Sequence, residues 1–226
     1  MILVTGSNGL LGTELKKHLN DAMWTTRQDF DITKGLETWD FLYDKYPEAI
    51  LHLAAYTDVA GAEKDKEACW ITNVIGTRNV AEAAYAYNIK MIYISTDYVF
   101  SGEKGNYTPL DIPDPCNYYG LTKLIGEQIV KTFGGLIIRT SFKPSIFPHE
   151  YACTDMFTSA DYVDVIAPMI AESLNLHGIC HIGTERKSIY DLIKKRNVTV
   201  KPTLRENIKS VKLPYDTSFG NIIHIE

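Results

Sequence analysis

Residues 1–12, MILVTGSNGLLG, decide the fold of this chain of 226 residues. The run from Ile2 to Thr5 is short, apolar and β-branched, which predicts a buried strand. Three glycines follow it directly with the spacing Gly-x-x-Gly-x-x-Gly: Gly6, Gly9 and Gly12. Leucines then recur at helical spacing: Leu11, Leu15 and Leu19. A strand, a glycine turn and an amphipathic helix in this order are typical of α/β proteins in which the turn approaches a phosphate.

Strand-like and helix-like segments continue to alternate as far as residue 139. Apolar runs predict strands at residues 23–26, 50–55, 90–95 and 135–139. Between them, helices are predicted at residues 35–46, 66–87 and 117–133. Regular alternation predicts a parallel sheet with right-handed crossovers. The predicted fold class is therefore α/β, a doubly wound parallel sheet of the Rossmann type.

Beyond residue 139 the pattern is weaker. An irregular stretch covers about 141–156, a helix with Pro168 inside it is predicted over 160–174, and a strand is predicted over 178–182. Ser188 has the position of a cap before a short helix. We therefore predict a Rossmann domain over residues 1–182, with an irregular insertion at about 141–156. A small C-terminal substrate-binding part is predicted over residues 183–226.

The composition is that of a globular protein, with 45% hydrophobic residues, 23% charged residues and a net charge of −5. No apolar run has the length of a membrane span and no secretory signal precedes the first strand, so we expect a cytoplasmic protein without a membrane partner. The cysteines lie far apart, without a Cys-x-x-Cys pair: Cys69, Cys116, Cys153 and Cys180. This spacing favours a reducing compartment and predicts no metal site.

Positive charge is concentrated between residues 186 and 212, where nine Lys or Arg stand against two acidic residues, a local charge of +7. Basic and aromatic residues do not interleave there as they do in nucleic-acid-binding surfaces, so no nucleic-acid partner is predicted. Two interpretations stay open. The stretch is a solvated face, or one or two of its residues contact a substrate diphosphate.

A group of polar side chains follows the strand predicted at residues 90–95. Ser95, Thr96 and Tyr98 stand at its end, where open α/β sheets bind their ligands. Tyr119 and Lys123 lie four residues apart in a predicted helix and so share one face. A phenol, an ammonium group and a hydroxyl that meet there can transfer a proton to a carbonyl oxygen. Tyr-x-x-x-Lys alone is weak, and the order of the surrounding motifs strengthens it.

The end of the second strand bears on the choice of cofactor. A dinucleotide-binding fold reads the adenosine ribose there, with an acid for a free 2′-hydroxyl and a base for a 2′-phosphate. The residues are Thr25, Thr26 and Arg27, which favours NADPH, although a solvated Arg27 is the alternative.

Asn73 lies inside a predicted helix, where Asn is a poor helix former. Asn73 is either exposed, or it bonds to the backbone or to a water chain beside the site.

With the glycine turn, Asn73, Thr96, Tyr119 and Lys123 in this order, the chain resembles the extended short-chain dehydrogenase/reductase superfamily. Within the superfamily it is most similar to the dTDP-4-dehydrorhamnose reductase family. Four segments carry the resemblance: residues 4–12, 52–57, 95–100 and 117–123. The resemblance implies an oxidoreductase of dTDP-rhamnose biosynthesis or a related pathway. Such an enzyme uses NADPH, with NADH as the second possibility, to reduce the 4-keto group of a nucleotide-linked 4-keto-6-deoxy sugar.

The resemblance also implies roles for individual residues. Tyr119 donates the proton, and Lys123 lowers the pKa of Tyr119 and binds the nicotinamide ribose. Thr96 holds the carbonyl oxygen, and Asn73 supports the proton supply. The residues expected to bind the cofactor are Gly6, Asn8, Gly9, Leu10, Leu11, Gly12, Arg27, Asp31, Ile32, Leu53, Ala54, Ala55, Tyr56, Ser95, Tyr119 and Lys123. The residues expected to bind the substrate are Thr57, Thr96, Tyr98 and Phe142.

The sequence departs from the family pattern at several points. The chain is short between residues 139 and 162, Phe142 stands where the family has tryptophan, and Asp58 precedes Val59 where the family has Val-Asp. Asp97 is followed by Tyr98 and not by a second acid, which argues against a sugar-nucleotide dehydratase. Two alternatives remain: a non-catalytic NADP-binding subunit like the methionine adenosyltransferase β subunit, and a 3,5-epimerase/4-reductase.

A homodimer is also expected. Subunits of the superfamily commonly pair through two long helices, which correspond here to those carrying Asn73 and Tyr119. Apolar residues cover more than one side of the first of these helices, where a solvated helix would show a single stripe. They are Cys69, Trp70, Ile71, Val74 and Ile75.

Overall fold

The computed structural model describes residues 1–220 and has a six-stranded parallel sheet at its centre. The strands of this sheet are β1 (Ile2–Thr5), β2 (Ala22–Trp24), β3 (Ala49–His52), β4 (Lys90–Thr96), β5 (Leu136–Thr140) and β10 (Ile179–Ile182). Shorter strands lie outside it: β6 (Phe142–Lys143), β7 (Tyr151–Cys153), β8 (Phe157–Thr158), β9 (Asp161–Tyr162), β11 (Lys187–Ser188) and β12 (Lys201–Thr203). The helices are α1 (Leu10–Leu15), α2 (Gly35–Lys45), α3 (Val59–Lys64), α4 (Lys66–Trp70), α5 (Thr77–Ala86), α6 (Tyr118–Thr132), α7 (Val163–Glu172) and α8 (Ile189–Lys194).

Across the central sheet the strand order is β10, β5, β4, β3, β1, β2, and every neighbouring pair is parallel. The predicted α/β fold with a parallel sheet is confirmed. The order reverses between β1 and β3, because β2 lies outside β1 while the later strands follow on the other side. Such a reversal opens a crevice at the carboxyl ends of the strands, and ligands of open α/β folds bind there.

Each face of the sheet has its own hydrophobic core, because successive strand residues point to opposite sides. Val4 of β1 packs in the core that contains Leu11 of α1 and Ile166 of α7. Its neighbour Leu3 packs in the other core, which contains residues of α2, α5 and α6 such as Val80. Helices therefore cover both faces, as the alternating sequence predicts.

The helix predicted over residues 66–87 is present but contains an irregular turn. It consists of α4, a π-helical turn (Ile71–Gly76) and α5. Asn73 lies inside the π-helical turn. Single π-turns inside α-helices occur frequently at functional sites, which makes this segment a feature of the site as well as of the fold.

The stretch at 141–156 is more regular than predicted, because it contains β6 and β7. Strands of two or three residues are too short to show alternation, so the sequence could not reveal them. β6 pairs with β9, β7 with β12, and β8 with β11. Residues 151–158 therefore pack with the chain beyond residue 182, while β6 and β9 pair with each other before it. The predicted division at residue 182 stays a prediction. The last six predicted cap residues, 221–226, lie outside the described residues.

Within the described part of the chain, no helix combines the length and the apolar character that crossing a membrane requires.

Candidate active site

A cavity of about 630 Å³ runs along the carboxyl ends of the parallel strands, from the turn after β1 to β6. Predicted site residues from six segments of the chain line it: Gly6, Asn8, Gly9, Leu10, Leu11, Gly12, Arg27, Asp31, Ile32, Leu53, Ala54, Ala55, Tyr56, Thr57, Ser95, Thr96, Tyr98, Tyr119, Lys123 and Phe142. Of the predicted site residues only Asn73 does not line it. The cavity thus brings together side chains up to 136 positions apart, between Gly6 and Phe142.

The glycine turn brings the backbone close to the crevice between β1 and β3. Gly6 has φ +66°, and a Cβ added there would lie 2.7 Å from the backbone nitrogen of Ala54. At Gly12 an added Cβ would lie 2.7 Å from Cα of Ser7. At Gly9 an added Cβ would meet only the carbonyl oxygen of Gly6, at 3.3 Å. Packing therefore requires the first and third glycines, and the middle one is also tight because a backbone oxygen lies close to the position of an added Cβ.

Arg27 and Asp31 form an ion pair at the end of the cavity near β2. Nε of Arg27 donates to Oδ2 of Asp31 over 3.0 Å, and the Arg27 side chain is largely exposed. The other carboxylate oxygen accepts from the backbone nitrogen and the hydroxyl of Thr33. Burial favours the neutral acid, but the hydrogen bonds from Thr33 and Arg27 outweigh it and lower the pKa of Asp31. Arg27 is therefore a charged group at the cavity wall and keeps its donor face toward solvent.

Asn73 is buried directly behind the cavity, with an exposed fraction of 1%. Its Oδ1 accepts from the backbone nitrogen of Tyr56 over 2.8 Å, and its Nδ2 donates to the Tyr56 carbonyl over 3.1 Å. Nδ2 also donates to Oγ1 of Thr122 on α6 over 3.0 Å. Of the alternatives for Asn73, the hydrogen bond to the backbone is therefore confirmed, and the prediction of an exposed side chain is wrong. Asn73 links the cavity segment 53–57 to the helix that carries Tyr119.

Lys123 lies in the wall of the cavity under strand β4. Its Nζ donates to the carbonyl oxygen of Ile94 over 2.8 Å and lies 4.0 Å from the ring centroid of Tyr93. Burial lowers the pKa of Lys123 to about 7, which makes its charge sensitive to pH in the neutral range. A lysine with such a depressed pKa in a cleft marks a candidate functional site.

Tyr119 is one helical turn before Lys123, and its ring meets Tyr98 edge-on, with 6.4 Å between the ring centroids. Burial raises the pKa of Tyr119, and the opposing interaction with the hydroxyl of Thr96 is smaller. The expectation that Lys123 lowers this pKa is therefore not met in the described structure. The physical reason is that burial disfavours the tyrosinate, while the ammonium of Lys123 is held at the Ile94 carbonyl.

A buried polar network stands behind Ser95. Its hydroxyl donates to Oε1 of Glu127 over 2.6 Å, and Glu127 forms a bidentate ion pair with Arg139 over 2.9 and 2.8 Å. Nδ1 of His181 lies 3.1 Å from the Tyr107 carbonyl oxygen, while burial and the nearby Arg139 lower the pKa of His181 to about 3. The Ser95 hydroxyl therefore uses its only proton in the hydrogen bond to Glu127.

Several lining residues were not predicted from the sequence: Thr5, Phe30, Val59, Thr72, Ile94, Asp97, Thr140, Ser141 and Lys143. Thr140, Ser141 and Lys143 could have been found, because they follow a predicted strand and strand ends form the site in this fold. Glu127 and Arg139, by contrast, come together only through packing of α6 on β5.

No group of three or more metal-ligating side chains occurs within residues 1–220, and the four cysteines are unpaired.

Comparison with known proteins gives a consistent result. Residues 1–154 match the family model described as RmlD substrate binding domain. The chain is 32% identical over 179 residues to a dTDP-4-dehydrorhamnose reductase from Aggregatibacter actinomycetemcomitans, covering 75% of this chain and 61% of the relative. It is 35% identical over 186 residues to methionine adenosyltransferase 2 subunit beta from Mus musculus, covering 74% of this chain and 55% of the relative. The chain thus spans between about half and three fifths of these curated relatives.

A solved structure of a Bacillus anthracis dTDP-4-dehydrorhamnose reductase in complex with NADP superimposes with a TM-score of 0.87 at 30% identity. The superposition covers 97% of this chain and 88% of that structure. A related reductase structure from Clostridium acetobutylicum gives a TM-score of 0.88 at 30% identity, covering 96% of this chain and 89% of the other. The likeness therefore extends well beyond residue 154, into the C-terminal part.

Proposed function

The chain belongs to the RmlD substrate binding domain family, and from this membership we propose that it is an NADPH-dependent reductase of a nucleotide-linked 4-keto-6-deoxy sugar. NADH is the second possible cofactor. One observation carries the proposal: Thr96, Tyr119 and Lys123 line the same cavity as the glycine turn. A proton-donating group and a dinucleotide-binding turn in one cavity are what carbonyl reduction requires.

The residues present fit a dinucleotide. The backbone at Gly6 and Gly12 has no room for side chains, and Gly9 lines the cavity beside the turn. Small side chains at Ala54 and Ala55 also keep the crevice clear. The solved Bacillus anthracis relative is described in complex with NADP, and Arg27 offers a positive charge for a 2′-phosphate. When bound, the cofactor supplies the hydride.

The chain's own residues supply the proton and the position of the sugar. The Tyr119 phenol stays protonated at neutral pH, because burial raises its pKa, so it is ready to donate to a carbonyl oxygen that gains negative charge. The Thr96 hydroxyl lies beside it and holds the same oxygen. Lys123 lines the same cavity with its ammonium hydrogen-bonded to the Ile94 carbonyl, and its remaining N–H donors would bind the ribose of the cofactor.

The runner-up is a protein that binds the nucleotide and a partner without catalysis. The similarity to methionine adenosyltransferase 2 subunit beta supports it, at 35% identity. A 3,5-epimerase/4-reductase is a third candidate, and it would act at two further carbons of the same sugar. The tyrosine, lysine and threonine at the cavity favour the reductase over the binding protein.

The deciding experiment measures NADPH oxidation with a panel of nucleotide-linked 4-keto-6-deoxy sugars. Reduction at C4, confirmed by NMR of the product, supports the reductase. NADPH binding by calorimetry with no turnover on any sugar would favour the binding protein. Inversion at C3 or C5 in the product would identify the epimerase/reductase.

We also propose a two-fold homodimer and a cytoplasmic location. Trp70 and Ile71 are exposed by 37% each and Leu121 by 40%, on neighbouring segments α4, the π-helical turn and α6. Large apolar side chains grouped on adjacent helices commonly mark an interface. The unpaired cysteines are consistent with a reducing compartment.

A further inference from the structure

Lys143 places a positive charge at the end of the cavity opposite the glycine turn. It is the last residue of β6 and is fixed there by the pairing of β6 with β9, where Lys143 is opposite Tyr162. Its side chain lines the cavity, and within residues 1–220 no hydrogen bond or ion pair holds its ammonium. A partly buried ammonium that lines a cavity and has no partner among the described residues can donate to a ligand group there.

Asp97 is the charge that faces Lys143. The carboxylate is buried and accepts three hydroxyl donors: Thr217 over 2.6 Å, Thr158 over 3.2 Å and Thr96 over 3.2 Å. Burial shifts the pKa values of Asp97 and Lys143 toward their neutral forms, and each charge opposes the shift in the other. The opposite charges of Asp97 and Lys143 interact, although their charged atoms lie farther apart than in an ion pair. Both line the cavity, so a ligand there can contact the two groups.

Thr140 adds a second unpartnered polar group to this wall. Its Oγ1 is buried and has no hydrogen-bond partner. Thr140 lies opposite Thr96 in the register of β5 and β4, and both line the cavity. Two polar side chains without partners, Thr140 and Lys143, thus stand next to the threonine proposed to hold the carbonyl oxygen.

An ammonium and a carboxylate in one cavity wall favour a hydroxyl group as the ligand that contacts both. A hydroxyl accepts from an ammonium and donates to a carboxylate at the same time, so it satisfies both sides. A ligand carboxylate at this position would be repelled by Asp97, and a methyl group there would leave both charges unpaired.

We propose that Lys143 is a specificity-determining residue that, together with Asp97, binds the hydroxyl on the sugar carbon next to the reacting carbonyl. This inference rests on the proposed function. In a 4-keto-6-deoxy sugar the neighbours of C4 are C3, which carries a hydroxyl, and C5, which carries a methyl group. Thr96 and Asp97 are neighbours in the cavity wall, and the Thr96 hydroxyl, once turned from Asp97, can donate to the carbonyl oxygen, so a group bound to Asp97 is adjacent to that oxygen. The ligand is therefore the C3 hydroxyl.

The test compares wild type, Lys143→Met and Lys143→Arg on two sugar nucleotides, one with the C3 hydroxyl and its 3-deoxy analogue. Loss of a charged hydrogen bond to a buried partner should lower kcat/KM of Lys143→Met about 10- to 100-fold for the hydroxylated sugar, mainly through KM. For the 3-deoxy sugar the same variant should lose less than about threefold. Lys143→Arg should recover part of the loss, because it keeps the charge.

Lys131→Met is the matched control, since Lys131 is an exposed lysine near the end of α6, and it should behave as wild type. Unchanged NADPH affinity by calorimetry shows that the variants are folded. Equal losses on both sugars, or no loss on either, would overturn the inference while reduction stands. If wild type reduces no sugar, calorimetric titration with the C3-hydroxylated sugar nucleotide still decides: Lys143-dependent binding supports the inference, and absence of binding overturns it.

Discussion

The hydroxyl of Tyr119 is the group whose removal should separate chemistry from binding. Tyr119→Phe keeps the ring and its edge contact with Tyr98, and removes only the proposed proton donor. Turnover should fall about 10²–10⁴-fold while NADPH affinity by calorimetry stays within about twofold. Tyr118→Phe is the natural control, because it alters the preceding ring on the same helix. Wild-type turnover in Tyr119→Phe would move the proton donor elsewhere, with Tyr118 as the next candidate.

The depressed pKa of Lys123 makes activity depend on pH near neutrality. Burial lowers this pKa to about 7, so the ammonium fraction decreases as the pH rises through that value. Since kcat/KM reports the ionisations of the free enzyme, it should fall above pH 7 by up to about tenfold per pH unit. Tyr119 does not cause this limb, because its raised pKa keeps it protonated there. A pH profile that is flat on the alkaline side would show that the charge on Lys123 is not needed.

Arg27 should set the preference between the two nicotinamide cofactors. A charged contact to a 2′-phosphate contributes about 1.5–3 kcal/mol, which corresponds to a roughly tenfold or greater preference for NADPH. The ion pair with Asp31 must turn or open for this contact, but a surface pair of this kind contributes only about 0–1 kcal/mol. Arg27→Ala should therefore bring the two affinities together in calorimetric titrations. Arg78→Ala, an exposed arginine in a similar pair with Glu82, should leave them unchanged. Equal wild-type affinities would leave Arg27 as a solvated residue.

At this scale the sequence predicts the residues that belong to spaced motifs and misses those that meet through packing. Tyr119 and Lys123 could be identified because helical spacing places them on one face. Asn73 was conspicuous because asparagine is a poor helix former and lies in the middle of a predicted helix. Lys143 follows a strand of unremarkable composition, and its relation to Asp97 depends on how β6 pairs with β9. The direction in which the pKa of Tyr119 is shifted likewise depends on burial, which no local sequence pattern reveals.

Among the elements, the π-helical turn depends on Asn73 for its contact with the cavity segment. Asn73→Ala would leave the backbone nitrogen and carbonyl of Tyr56 without partners, at about 1–3 kcal/mol for each unsatisfied group. We expect a loss of roughly 2–4 kcal/mol in the free energy of unfolding, measured by urea titration, and reduced turnover because segment 53–57 lines the cavity. Asn79→Ala is the matched control. It removes one hydrogen bond, from Nδ2 to the Ile32 carbonyl, and should cost less. Unchanged stability in Asn73→Ala would contradict this role.

Element prediction succeeded where segments were long and periodic, and failed where they were short. Strands β1, β3, β4 and β5 and helix α6 were predicted within a few residues, because burial on both faces or one apolar stripe marks them. Strands β6, β7 and β12 have two or three residues each, and their partners lie far away in the chain. Long-range pairing of this kind decides the C-terminal part, and it leaves no local signal.

For the whole molecule, the C-terminal part completes the site and does not merely cover it. Thr217 donates to Asp97 over a sequence separation of 120 residues, and Phe219 packs with Phe100 and Tyr107. The Asp97 carboxylate is therefore fixed by the last described segment. This arrangement explains why the end of the cavity near β6 was the least predictable part of the site.

The proposed dimer brings Trp70, Ile71 and Leu121 of two subunits together around a two-fold axis, where a charge introduced once appears twice. Trp70→Arg or Leu121→Arg should therefore place like charges in an apolar interface and convert the dimer to monomer. Leu36→Arg is the control, since Leu36 is 84% exposed on α2, away from these helices, and should leave the dimer intact. Sedimentation velocity at micromolar concentration measures all three variants beside wild type. A monomeric wild type, or dimers that survive both interface substitutions, would refute the interface, because neither result is compatible with an apolar face that pairs with its own copy.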